Sequence, residues 1–183
     1  AAFADACADR AELIAAAAEE AKREEPHAPA LFARAVYDAA QKGDTAGVEY
    51  IAQSIAAIPA AKDAWTDAIR YLLDEAGTRG DIVHMTAFSK QLYLGGDPDG
   101  AQMGFERCCA MAPGPKERLQ LEKDFSAFGY ARYADAELAQ FFEDALSVGD
   151  DRAALGFLER IRKAGSERSE ALILQYLRSA AAR

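Results

Sequence analysis

The side chains best suited to chemistry near neutral pH are two histidines, His27 and His84, and three cysteines, Cys7 and the adjacent Cys108-Cys109. A catalytic imidazole works beside a nucleophile or an orienting carboxylate, and a zinc site wants three or four ligands. His27 follows Pro26 in an expected loop, while His84 stands in "DIVHMTAF", far from it in the chain. Each is expected at the surface or in a local hydrogen bond. No histidine neighbours the Cys pair, and three cysteines without framework spacing do not form a disulfide scaffold, so the thiols are expected as small buried apolar groups. "GGDPDGAQ" at 95–102 sets carboxylates among glycines as a calcium loop does. The further ligands and the closing Glu are missing there; Gln102 and Glu106 do not supply them. Glu19-Glu20 and Glu24-Glu25 fall on solvated helix faces, and no nucleophile elbow, P-loop, dinucleotide fingerprint or HExxH occurs. The expectation is a non-enzyme, with no cofactor and no metal.

What remains as candidate functional chemistry is aromatic. The stretch "DFSAFGYARYADAELAQFF" at 124–142 gathers rings at helix-packing spacing, and most of them are expected in a core. Tyr130, Tyr133, Phe141 and Phe142, with Tyr93 of "KQLYLGG" at 90–96, are the candidates for an exposed protein-contact patch.

The elements that would hold these residues are helices. Alanine is abundant and β-branched residues are sparse, apolar residues recur at three and four, and no alternating stretch is long enough for a strand. Breakers divide the chain into helical segments at about 2–24, 29–42, 45–58, 61–76, 82–94, 99–111, 116–128, 134–148, 151–164 and 167–182. Connections of two to six residues make neighbouring helices antiparallel. The fold class is all-α, and the organisation is an N-terminal helix at 1–25 followed by a helical domain at 26–183. No apolar run approaches the ~20 residues of a membrane span. The first residues lack the basic, uninterrupted apolar pattern of a secretory signal and are too acidic for a transit peptide.

Gly43, Gly80, Gly114 and Gly149 each separate two helical segments, at spacings of 37, 34 and 35 residues, the period of stacked helix-turn-helix units. A competing register comes from the Gly-Asp pairs at 43, 96 and 149, twice 53 apart. Three-helix units reverse the chain direction at each step, so two-helix units are preferred, forming a short α-solenoid. A non-repetitive helical bundle is the alternative. Ala101, Phe105 and Pro113 follow the small–aromatic–proline spacing of tetratricopeptide repeats. Ala153 with Phe157 follows it with Gly165 at the proline place, and Ala46 with Tyr50 follows it loosely. "DRAALGFLERIRKAG" at 151–165, leading into "SERSEALILQYL", resembles the second helix of a pentatricopeptide repeat entering the next repeat. The resemblance covers about 29–182, without a complete signature in any unit and with Trp65 out of register.

That resemblance implies single-stranded RNA binding, one base per repeat, in a mitochondrion or plastid. The positions matching the family's base-selecting residue are Ala33, Arg70, Gly104, Ala139 and Leu174, none an amide or hydroxyl. At the second position stand Asp63, Gly100 and Ser169, of which Asp63 and Ser169 alone suit the role. The net charge of −9 opposes phosphate binding and anionic membranes, and favours a protein partner with basic surfaces. The basic cluster Arg152, Arg160, Arg162, Lys163 and Arg168 is interleaved with Asp150, Asp151, Glu159, Glu167 and Glu170, as on a solvated face held by intrahelical pairs. The expected function is a non-catalytic scaffold or accessory subunit that contacts other protein subunits in a larger, organellar assembly. An RNA-binding repeat protein is the first alternative, and a small-molecule-binding or enzymatic helical domain the second.

Overall fold

A computed structural model describes residues 10–23 and 26–181; Cys7, Glu24-Glu25 and the first residues of the 2–24 segment lie outside them. Among the described residues there are ten α-helices, one short 3-10 turn at Pro59–Ala61 and no strand. The helices are α1 (Arg10–Lys22), α2 (Ala28–Gln41), α3 (Thr45–Ile55), α4 (Lys62–Thr78) and α5 (Ile82–Leu94), then α6 (Pro98–Met111), α7 (Pro115–Ala127), α8 (Asp135–Val148), α9 (Asp151–Lys163) and α10 (Ser169–Ala181). The fold is all-α.

One local device ends four of these helices and starts the next. Gly43, Gly80, Gly96 and Gly149 adopt left-handed φ of 64°, 68°, 88° and 76°, where a side chain would be strained. The aspartate that follows each glycine turns its own N–H back onto the preceding helix. Asp44, Asp81, Asp97 and Asp150 donate to the carbonyls of Ala39, Ala76, Leu92 and Ala145 at 2.8–3.0 Å. Their carboxylates then accept the N–H groups of Gly47, His84, Gly100 and Ala153 at 2.9–3.1 Å, capping the next helix. Each cap contributes about 1 kcal/mol. Gly114 differs: its backbone is extended, and the "APGP" stretch starts α7 with Pro115 in its first turn instead. The 53-residue coincidence of Gly-Asp pairs thus reflects shared turn chemistry, which Gly80-Asp81 shares as well.

The chain forms two compact units, 1–104 and 105–183, with the boundary inside α6. The boundary falls within a continuous helix, with no linker composition to mark it. In the first unit each helix from α1 to α4 packs on the next, and α2 also packs on α4 and α1 on α3. Phe32, Val48, Ile51, Ile55, Leu73, Met85 and Leu92 form its core. In the second unit α7 packs on α8, α8 on α9 and α9 on α10, with α8 also touching α10. Contact with the neighbour and with the next but one is the local packing of stacked hairpins. The charge is divided unevenly: residues 1–104 hold nine Lys/Arg and seventeen Asp/Glu, a net −8, against twelve and thirteen, a net −1, in 105–183.

Candidate functional site

The core of the second unit takes in most of the aromatic residues singled out as a contact patch. Phe105 packs edge-on to Phe125 at 4.8 Å between ring centroids and meets Tyr130 at 5.4 Å and Phe141 at 6.0 Å. Aromatic pairs of this geometry contribute about 0.5–1.5 kcal/mol beyond their buried area. Tyr130 and Phe141 are each 2% exposed and Phe142 is fully buried, so these three are packing residues and present no contact surface. The correction has a simple cause: Phe141 and Phe142 lie on the face of α8 that also buries Leu138 and Ala145, and Tyr130 closes the turn after α7. The Tyr130 hydroxyl donates to the Arg132 carbonyl at 3.0 Å, which satisfies it in place. Tyr133 is half-buried, its hydroxyl 2.9 Å from Ser126 Oγ. Tyr93 is half-buried on α5.

An open apolar surface appears instead on the first unit, along α3, α4 and α5. Trp65, Ile69 and Leu72 recur at four and three on α4, a stripe along one helix face. Phe88, Gln91 and Leu94 of α5 flank it on one side, and Glu49, Ala52 and Gln53 of α3 with Ala56 just after it on the other. The alanines keep the α3 wall low, and the result is a groove of about 600 Å³. Leu94 is 65% exposed at its edge. The single Trp of the chain is held by close approach to a glycine: a Cβ on Gly95 would come within 2.8 Å of Trp65 Cη2. Glu49 is the one charged side chain among the residues that line the groove. Ile69 and Leu72 are themselves buried, at 2% and 3% exposure, and form the floor of the groove, while Trp65 is half-buried; the spacing of this stripe was visible in the sequence, but not that the groove above it stays open.

Several residues that might have done chemistry are engaged structurally. Arg70 forms a two-pronged pair with Asp97, Nε to Oδ2 at 2.7 Å and Nη2 to Oδ1 at 2.9 Å, tying α4 to the turn before α6. The hydrogen bond from Arg70 holds the Asp97 carboxyl below the usual carboxylate range. Gly104 abuts the buried Ser89, whose Oγ donates to the Met85 carbonyl at 2.7 Å; a Cβ there would lie 3.2 Å from Leu73 Cδ1 and overlap the serine. Ala139 is buried and Leu174 is 54% exposed. His84 is exposed, with Nδ1 2.6 Å from Asp81 Oδ2, and His27 is exposed at the start of α2. Cys108 is buried, and burial pushes the half-buried Cys109 thiol up to about 12.

The basic cluster is only partly an intrahelical ladder. Lys163 pairs with Glu159 at 2.8 Å within α9, whereas Arg160 reaches Glu122 on α7 at 2.7 Å and Arg168 approaches Asp135 of α8 at 3.8 Å. Arg160 also lies over the Tyr133 ring, 4.6 Å from its centroid, and Glu122 accepts a second bond from Ser126 Oγ at 2.8 Å. A second cross-helix pair joins Arg118 of α7 to Asp144 of α8, at 2.7 and 2.6 Å. No protein-family model, curated protein or solved structure matches the chain.

Proposed function

We propose that the chain is a non-catalytic helical scaffold of the stacked-hairpin kind, and that the groove along α3–α5 seats the apolar face of a helix from a partner protein. One observation carries this reading: an open groove with Trp65, Phe88 and an exposed Leu94, whose one charged lining residue is Glu49. Burying such a surface against a helix is the usual use of an exposed apolar groove. The net −8 of the unit favours a partner helix flanked by Lys or Arg. Placement in a larger organellar assembly rests on the repeat-like sequence pattern and belongs to the same proposal.

The test is co-purification from the native source with wild type and with the surface variants Leu94→Asp and Glu49→Lys. A defined partner retained by wild type and lost with both variants is the expected result. The emission of Trp65, the single Trp, should shift to the blue when that partner is added. Equal recovery by all three proteins, or salt-sensitive binding to single-stranded RNA in its place, overturns the reading.

A further inference from the structure

The second unit contains a cleft that the groove proposal does not use, and we infer that it binds an oxyanion, phosphate or carboxylate, borne on a flat apolar body. The cleft has a volume of about 480 Å³ and lies between α7 and α9, which lines it from Arg152 in the first turn to Arg160 in the last. Three cations line it: Lys123 of α7, and Arg152 and Arg160 of α9. Neither Lys123 nor Arg152 pairs with any carboxylate among the described residues. The two lining carboxylates are already engaged. Glu122 holds Arg160 at 2.7 Å and Ser126 at 2.8 Å, and Asp150 caps α9 through the Ala153 N–H at 2.9 Å. A guest anion therefore meets two free cations without having to displace an internal partner.

Arg160 adds orientation. Its guanidinium is fixed by Glu122 through Nη1 and lies over the rings of Tyr133 and Phe157, at 4.6 and 5.5 Å from their centroids. A guanidinium carries five N–H donors in a rigid fork, so one bond to Glu122 leaves further donors in a preset plane. The remaining wall is apolar: Leu119, the Phe157 side chain and the bare backbone of Gly156. A Cβ built on Gly156 would meet nothing within 4 Å, so this stretch of wall opens onto empty space. A bare phosphate ion is much smaller than the cleft, whose lining also includes Leu119, Ala153, Gly156 and Phe157. An aryl phosphomonoester or aryl carboxylate meets both halves, its anion between Lys123 and Arg152 and its ring against Phe157 and Gly156. The site lies wholly within the second unit, so it stands or falls separately from the groove.

The experiment is titration of the full chain with phenyl phosphate, inorganic phosphate and benzoate in low-salt buffer, followed by the backbone amide signals of Ala153 and Gly156. Saturable shifts at these amides are expected, with phenyl phosphate binding about tenfold more tightly than inorganic phosphate because its ring is buried as well. Lys123→Ala with Arg152→Ala should weaken phenyl phosphate about tenfold or more, since charge-assisted bonds are lost. Both side chains are exposed, so the far-UV spectrum should stay that of wild type. A Cβ at Gly156 meets nothing within 4 Å, so Gly156→Leu should project into the cleft and abolish binding of phenyl phosphate while leaving the protein folded. A phosphotyrosine peptide distinguishes the source: tighter binding than phenyl phosphate assigns the anion to a protein, and equal or weaker binding to a free small molecule. Absence of saturable shifts, or shifts indifferent to both sets of substitutions, overturns the inference.

Discussion

The pair between Arg118 and Asp144 supplies the sharpest quantitative test of the second unit. Asp144 is 2% exposed while the Arg118 side chain is 24% exposed, and the two are joined by bonds of 2.7 and 2.6 Å. Truncating one partner or the other therefore leaves very different remnants. In Arg118→Ala a carboxylate stays buried with a neutral donor, Gln140 Nε2 at 3.2 Å, in place of the guanidinium. An uncompensated buried charge costs about 3 kcal/mol. In Asp144→Ala the arginine is already a quarter exposed and can turn its head to water, so the loss is about 1–1.5 kcal/mol. The double variant has no stranded carboxylate and should resemble Asp144→Ala alone, which gives a coupling energy of about 3 kcal/mol between the positions. Urea unfolding followed by far-UV circular dichroism measures all four proteins, and the asymmetry is large against a typical total stability of ~5–15 kcal/mol. If Arg118→Ala costs no more than Asp144→Ala, the burial argument is wrong, whatever the absolute values.

Three further outcomes follow from the turns and the titrating groups. Gly43 holds φ at 64° with no atom near its missing Cβ, so Gly43→Ala should cost about 1 kcal/mol from backbone strain alone, read from the urea midpoint. Asp97 is held below its ordinary range by Arg70. Its stabilisation is therefore complete above the ordinary carboxylate value and is lost as pH falls through the lowered folded value; in Asp97→Asn the urea midpoint should depend less on pH between about pH 6 and pH 2. Cys109, with its thiol pushed up to about 12, should react with a disulfide reagent at pH 8 far more slowly than the unfolded chain does, in a Cys7→Ser background; equal rates would show the thiol to be accessible.

The helix segments and their boundaries were legible in the sequence because the signals that set them are local. Gly43-Asp44 and Gly149-Asp150 terminate one helix and cap the next within ten residues, and Pro98 and Pro115 stand in first turns. The candidate contact residues were not legible in the same way. Helical spacing says that Phe141 and Phe142 share a side with apolar neighbours, but not whether another helix covers that side, and Tyr130 stands in the turn after α7, where no helical period applies. The ion pairs were hidden for a related reason. Arg118 and Asp144 are 26 residues apart and Arg160 and Glu122 are 38 apart, so no intrahelical rule pairs them. Arg160 looked like one rung of an α9 charge ladder and is bound across to α7 instead.

The Gly-Asp turns have a consequence for the speed of folding. Each one completes its hydrogen bonds over about ten residues, as between the Ala39 carbonyl and the Gly47 N–H, so a helix boundary can form before any distant segment arrives. Helical chains built from such near-neighbour closures search little conformational space and fold in microseconds to milliseconds, well ahead of sheet proteins of similar size. A chain that acquires its hairpins this quickly exposes its apolar stripes only briefly, which limits the time available for misassociation during synthesis.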